Sequence, residues 1–417
     1  MGLFAIPEQK QQERDCAMQT SSRRSRLTIV ICFIVALIEG LDLQSAGVAA
    51  AGIRAAFSLE PGMMGWMFSA SIIGLLPGAF LGGYVADRIG RKKVLVAAVV
   101  LFGIFSLWTA YTSSLTGLLA ARFLTGLGLG AALPNLIALC AEAVEERQRS
   151  TAISIMYCGV PLGGAAAAVI GMLAGEAWQW VFIIGGVAPL AIAPLMLWLL
   201  PESSAFHQQQ TRATQDRPST VAALCGDGRT RITLSLWISY FFTLTVMYML
   251  LNWLPSLLLE LGFSKPQAGT VQMVFNIGGA LGSLLGGVLL DRFQRTPVVL
   301  CIYLGLLLAL AGIGFSTNLA SMAAAGFAAG VFVMAAQLVL YALAPAYYPT
   351  QVRATGVGAA VAVGRLGSVS GPLAAGHILA AGAGTAGVLM AAAPGLLVAA
   401  LVVVAMGSRE RRAAAPA

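Results

Sequence analysis

Two stretches decide how the chain is read: GGYVADRIGRKK, residues 82–93, and GGVLLDR, residues 286–292. Each begins with a glycine pair at the end of an apolar run and reaches an Asp-Arg, and Asp87 and Asp291 stand 204 residues apart. A second pair keeps that offset: RSTAIS begins at Arg149 and RATGVG at Arg353. Two separate matches at one spacing indicate duplication of a six-helix unit. Paired halves with a site between them near the bilayer midplane are a transporter architecture.

The sequence around these stretches is apolar. Of 417 residues, 58% are hydrophobic and 10% charged, and the mean hydropathy is +0.84. Soluble domains carry about 25% charged residues, so an integral membrane protein is expected. A helix needs roughly 20 apolar residues to cross a bilayer. Twelve runs qualify: 27–56, 62–86, 93–112, 115–141, 150–174, 178–200, 231–259, 266–290, 297–316, 319–347, 353–381 and 384–406. The expected fold is all-α, with twelve transmembrane helices in two six-helix pseudo-symmetric bundles, 27–200 and 231–406. A polar stretch, 201–230, joins them, and tails 1–26 and 407–417 flank them.

The net charge is +8, and position explains it. All but four of the 25 Lys and Arg residues fall in the tails, the central stretch and alternate loops. Arg54 and Lys265 lie on the opposite side, and Arg122 and Arg365 lie inside spans. Such a bias places both termini and the central stretch in the cytoplasm. The basic charge is topological, so no nucleic-acid partner is expected; lipid surrounds the chain. The segment before the first span has no apolar core, so it reads as a retained tail and not a cleaved signal. The six cysteines form no C-x-x-C pair and read as small hydrophobes. No glycine-rich stretch is followed by G-K-[ST]. His207 and His377 lack a second ligand at metal spacing, and no nucleophile–base pair appears. We expect no metal, no cofactor and no enzymatic activity, and a chain that acts as a monomer.

Several stretches resemble a known family. GGYVADRIGRKK is similar to the loop signature between helices 2 and 3 of the major facilitator superfamily, RFLTGLGLG at Arg122 to its helix-4 arginine motif, and LPES at Leu200 to its end-of-helix-6 motif. More narrowly, EGLDLQ, GLGLGAALPN, MYCGVPLGG and AVGRLGSVSGP resemble the aromatic acid:proton symporters. MLLNWLPSLL and VLYALAPAYY resemble that family's bacterial members that carry 3-(3-hydroxyphenyl)propionate. Many members have Asp where this chain has Glu39. The resemblance implies proton-coupled uptake of an aromatic carboxylate across the bacterial cytoplasmic membrane by alternating access.

Glu39 and Asp42 sit near the centre of the first span, three residues apart and so on one helix face. A bare charge there costs at least ~2.5–3.5 kcal/mol, which a carboxyl group avoids by binding a proton. The duplication puts Thr243 and Val246 at the matching positions, so the scaffold alone does not require the acids. The pair is suited to hold one shared proton. The alternatives are a protonated pair bonded to a neighbouring helix and a permanent pairing with arginine. Arg122 and Arg365 stay charged and need anions. A forked guanidinium at Arg365, near the midplane of the eleventh span, can hold a substrate carboxylate by two hydrogen bonds; a fixed ion pair with Asp42 is the other possibility. Arg122 either binds substrate or modulates the acids.

For an aromatic ring, the cavity-facing candidates are Tyr157, Asn252, Trp253, Asn276, Gln337 and Tyr341. Helix–helix bonding explains intramembrane amides equally well. Asp87, Arg88 and Arg91, with acids such as Glu142, and their repeats Asp291 and Arg292, are candidates to latch the cytoplasmic side while the outside is open. Two other functions stay open: a proton antiporter exporting aromatic compounds, and a transporter-like sensor of the acid.

Overall fold

A computed structural model describes residues 8–202, 224–226, 229–348 and 352–414. Most of the polar stretch 201–230 lies outside these residues, as does the side chain of Asp291. The first half holds α1 (Glu8–Val48), α2 (Ala50–Phe57), α3 (Pro61–Ile89), α4 (Arg91–Tyr111), α5 (Leu115–Glu142), α6 (Arg149–Tyr157), α7 (Gly159–Ala174) and α8 (Gln179–Leu199). The second holds α9 (Thr230–Glu260), α10 (Lys265–Arg292), α11 (Arg295–Phe315), α12 (Leu319–Leu343), α13 (Arg353–Ala380) and α14 (Gly384–Ala414).

Twelve stretches of the described residues are long and apolar enough to cross a membrane. Their outer faces are oily: Leu173, Trp198, Phe315 and Met390 are each more than 70% exposed. Water would not tolerate such a band, and lipid does. Three details differ from the sequence expectation. α1 is one continuous helix from Glu8, with Ser25–Val48 as its apolar part. The first run breaks at Ala49, so that α2 stands apart. The fifth run breaks at Cys158, whose N–H bonds back to Ser154 and Met156.

The repeat is visible in the helices. Pro61 and Lys265, Arg91 and Arg295, Leu115 and Leu319, and Arg149 and Arg353 are helix starts, each pair 204 residues apart. Even the caps correspond: Ser114 accepts from the Gly117 N–H before α5, and Asn318 from the Ser321 N–H before α12. Each side-chain oxygen satisfies an N–H that the helix leaves orphaned. The close approaches recur too. A Cβ on Gly126 would overlap the Ser71 carbonyl, and one on Gly330 would overlap that of Phe275. In each half the second span therefore packs backbone-to-backbone on the fourth.

Between the halves, α3 packs on α13, α7 on α10 and α1 on α9. These contacts lie at the ends away from the 82–93 loop. Gly65 abuts the Pro372 carbonyl, Gly47 abuts Asn252, and Ser69 Oγ donates to the Val369 carbonyl at 3.0 Å. Toward the 82–93 loop the halves part, and a cavity of about 780 Å³ opens between α3, α5 and α6 on one side and α12 and α13 on the other.

A cavity built round one arginine

Leu75, Leu129, Ile137, Leu338 and Val361 give this cavity mostly apolar walls, and Tyr157 and Tyr341 add phenol rings. Among the described residues, Arg365 is its one lining cation. The α13 backbone can carry a guanidinium there because Gly364, Gly367 and Gly371 lie close against α9; a Cβ on Gly367 would overlap the Phe241 carbonyl. Arg365 is half-buried, and its Nη1 donates to the Tyr248 hydroxyl at 2.7 Å. Gln337 reaches the hydroxyls of Tyr157 and Tyr341, each at 3.4 Å. Glu39 is 4% exposed, lies within electrostatic reach of Arg365, and has one carboxylate oxygen without a hydrogen-bond partner. An orphaned buried oxygen of that kind costs about 1–3 kcal/mol, so the site is poised for a further donor or a proton.

Asp42 points elsewhere. It is fully buried inside the first half, where Arg122 Nη1 lies 3.2 Å from Oδ2 and Ser106 Oγ donates to Oδ1 at 2.6 Å. Arg122 Nη2 also reaches the Asp42 carbonyl at 3.4 Å, and the guanidinium sits over the Phe182 ring. So Glu39 and Asp42 do not face one partner, as a shared proton requires. Residues three apart differ by about 60° round a helix, enough to send one carboxylate to Arg365 and the other to Arg122. The glycines of GVPLGG fix that rotation. Gly159 abuts the Phe33 carbonyl, a Cβ on Gly163 would overlap that of Leu37, and one on Gly40 would overlap that of Val160.

The structure thus brings Glu39, Tyr157, Gln337, Tyr341 and Arg365 together. It does not bring Arg122, Asn252, Trp253 or Asn276 to the cavity wall. Asn252 Nδ2 donates to its own helix at Tyr248, and Trp253 Nε1 donates to the Pro372 carbonyl at 3.0 Å while packing edge-on to Phe68. Asn276 bonds to Gln44 across the two halves. Of the latch candidates, Arg91 pairs with Glu142 within the first half, and Arg88 lies over the Tyr84 ring. Asp87 and Arg292 are exposed. Glu202 of LPES accepts from the Lys92 N–H at 3.0 Å and so caps α4. Sequence reasoning missed Tyr248, Ser106 and Gln44. Gln44 carried a signal: it is an intramembrane amide two residues from Asp42.

Two pseudo-symmetric six-helix bundles round a central cavity define a class of membrane carrier. The Major Facilitator Superfamily profile matches residues 32–257 and 236–417, and the chain belongs to that family: a multi-pass membrane transporter, not an enzyme. It is 53% identical over 394 residues, 94% of this chain and 96% of the relative, to the 3-(3-hydroxy-phenyl)propionate transporter of Escherichia coli K12. It is 36% identical to the gallate transporter of Pseudomonas putida, covering 86% of each chain. Among solved structures, the xylose transporter XylE of E. coli shares its fold with a TM-score of 0.73 at 16% identity, covering 91% of this chain and 97% of that one.

Proposed function

We propose that the chain takes up an aromatic carboxylate of the hydroxyphenylpropionate type together with a proton. The observation that carries this is the half-buried Arg365 in a largely apolar cavity with the buried, incompletely bonded Glu39 beside it. Arg365, pre-set by Tyr248, binds the carboxylate through its guanidinium fork. The ring lies against Tyr157, Tyr341 and the apolar walls, and about 780 Å³ is within the usual size for a small-molecule site. The E. coli relative, a 3-(3-hydroxy-phenyl)propionate transporter by name, supports this substrate class.

Coupling follows from the charges. Before substrate arrives, an ionised Glu39 is a counter-charge within electrostatic reach of Arg365. A substrate carboxylate takes that place, and a buried carboxylate stripped of its partner takes up a proton. Linkage runs both ways: a proton on Glu39 frees Arg365 for substrate. The carrier then moves one anion and one proton with no net charge. The Asp42–Arg122 pair holds α1 in the first half and responds to the same change. In the bilayer, the bias of basic residues orients the 82–93 loop and both termini to the cytoplasm, so the cavity here faces inward. One chain contains the whole site and acts as a monomer.

The test is uptake of radiolabelled 3-(3-hydroxyphenyl)propionate into proteoliposomes. An inward proton gradient drives accumulation above equilibrium, and a protonophore abolishes it. Accumulation indifferent to the proton gradient, or driven only by an outward one, overturns the proposal.

A further inference from the structure

Gln44, Gln272 and Asn276 form a closed amide cluster across the two halves, on the side away from the cavity. Gln44 Nε2 donates to Asn276 Oδ1 at 2.7 Å, and Asn276 Nδ2 returns a bond to Gln44 Oε1 at 2.8 Å. Gln272 Nε2 donates to the same Gln44 oxygen at 2.8 Å. All three side chains are at least 99% buried. α1 supplies Gln44 and α10 supplies the other two, so every bond of the set crosses from one half to the other.

We propose that this cluster is the latch that keeps the transporter shut on the side away from the 82–93 loop, and that Gln44 is its central residue. Three observations carry it. First, the bonds join the elements that must separate if that side is to open. Second, Gly164 of α7 makes the space: a Cβ there would overlap Gln44 Nε2 and crowd Asn276 Oδ1. The crowded atoms end a flexible side chain, so an added methyl displaces the amide without unseating backbone. Third, the cluster is not fully satisfied, since Gln272 Oε1 is buried with no partner. A neutral hydrogen bond shifts an equilibrium by only a few-fold, and an orphan acceptor works against it. The latch is therefore weak enough to release in each cycle. Gln44 is two residues from Asp42, and Ser45 Oγ donates to the Asp42 carbonyl at 2.6 Å. A turn of α1 that follows a change at its acids withdraws Gln44 from α10.

The experiment needs no substrate and no transport, so it stands whether or not the proton-coupling proposal does. In purified protein with the native cysteines replaced by serine, Ala268→Cys reports on the closed side and Ala362→Cys on the cavity. Ala268 is 2% exposed one turn from Gln272, and Ala362 lines the cavity. Gln44→Leu raises the rate of thiol modification at 268 about five-fold or more and lowers it at 362. Gly164→Ala, which removes no polar group, shifts both rates in the same directions. Adding Asn276→Leu to Gln44→Leu gives no further shift, because the bond is already gone. Rates unchanged at both positions overturn the latch, and so do rates that rise together, which report loosened packing. If Asn276→Leu lowers the affinity for the aromatic acid while Gln44→Leu leaves both thiol rates unchanged, Asn276 serves the substrate instead and the latch is wrong.

Discussion

In the proposed function Arg365 carries the recognition chemistry, and its fork geometry makes it irreplaceable by lysine. Arg365→Lys keeps the charge but loses the bidentate grip and the Tyr248 alignment. It raises the KM for the acid at least about ten-fold, the equivalent of one lost charge-assisted bond of about 1.5–3 kcal/mol. Initial-rate uptake checks this, and an unchanged KM removes Arg365 from the site. The Asp42–Arg122 pair tests differently because both partners are fully buried. Asp42→Asn strands the guanidinium and costs about 3–5 kcal/mol of stability. It abolishes proton-driven accumulation and lowers the unfolding midpoint; restoring neutrality with Arg122→Leu recovers much of the stability but not the accumulation. Wild-type accumulation in Asp42→Asn contradicts the role given to that pair.

The helices show where sequence reasoning reaches and where it stops. Apolar runs are properties of the chain in one dimension, so the twelve spans were legible from them. The break at Cys158 was legible as well, in Pro161, which has no N–H for the Tyr157 carbonyl and bends the helix there. Gly159, where an added Cβ would meet the Phe33 carbonyl, lets the bent segment lie close on α1, and that three-dimensional contact was not legible. The partners of the two acids were hidden for the same reason. Spacing says that Glu39 and Asp42 lie near one face, but which neighbouring helix meets each depends on a rotation set by Gly40 and Gly163. Tyr248 was one tyrosine in an apolar run with nothing to single it out. The glycine contacts themselves give a prediction. Gly40→Ala places a methyl into the Val160 backbone and costs about 1–3 kcal/mol. Gly83→Ala meets nothing within 4 Å and gains the usual helix preference of about 0.5–1 kcal/mol. Thermal unfolding of the purified variants checks the contrast. Equal midpoints would show that α1 and α7 are not held as tightly as their glycines indicate.

For the molecule as a whole, the duplication makes the two halves alike, and function lies in how they differ. The shared features, from the caps at Ser114 and Asn318 to the glycine contacts at Gly126 and Gly330, build the frame. The acids stand only in the first half and the cavity arginine only in the second. On the proposed reading, substrate and proton therefore meet where the halves face each other, and a change in either charge is felt by both. On one side the halves meet at Trp253, Gly65 and the Gln44 amides, while the other side stands open to Arg365. The 204-residue repeat and the apolar runs foretold this frame. They did not foretell that Asn252, Trp253 and Asn276 would serve the closed side, because sequence does not say at what depth a polar group finds its partner.

Proton release or uptake on ligand binding probes the coupling most directly. Purified protein in weakly buffered solution is mixed with 3-(3-hydroxyphenyl)propionate near neutral pH, while pH and bound ligand are followed together. About one proton should be taken up for each acid bound, and Glu39→Gln should bind the acid with no proton uptake. Binding by the native protein without any proton uptake, or the same uptake in Glu39→Gln, would contradict it.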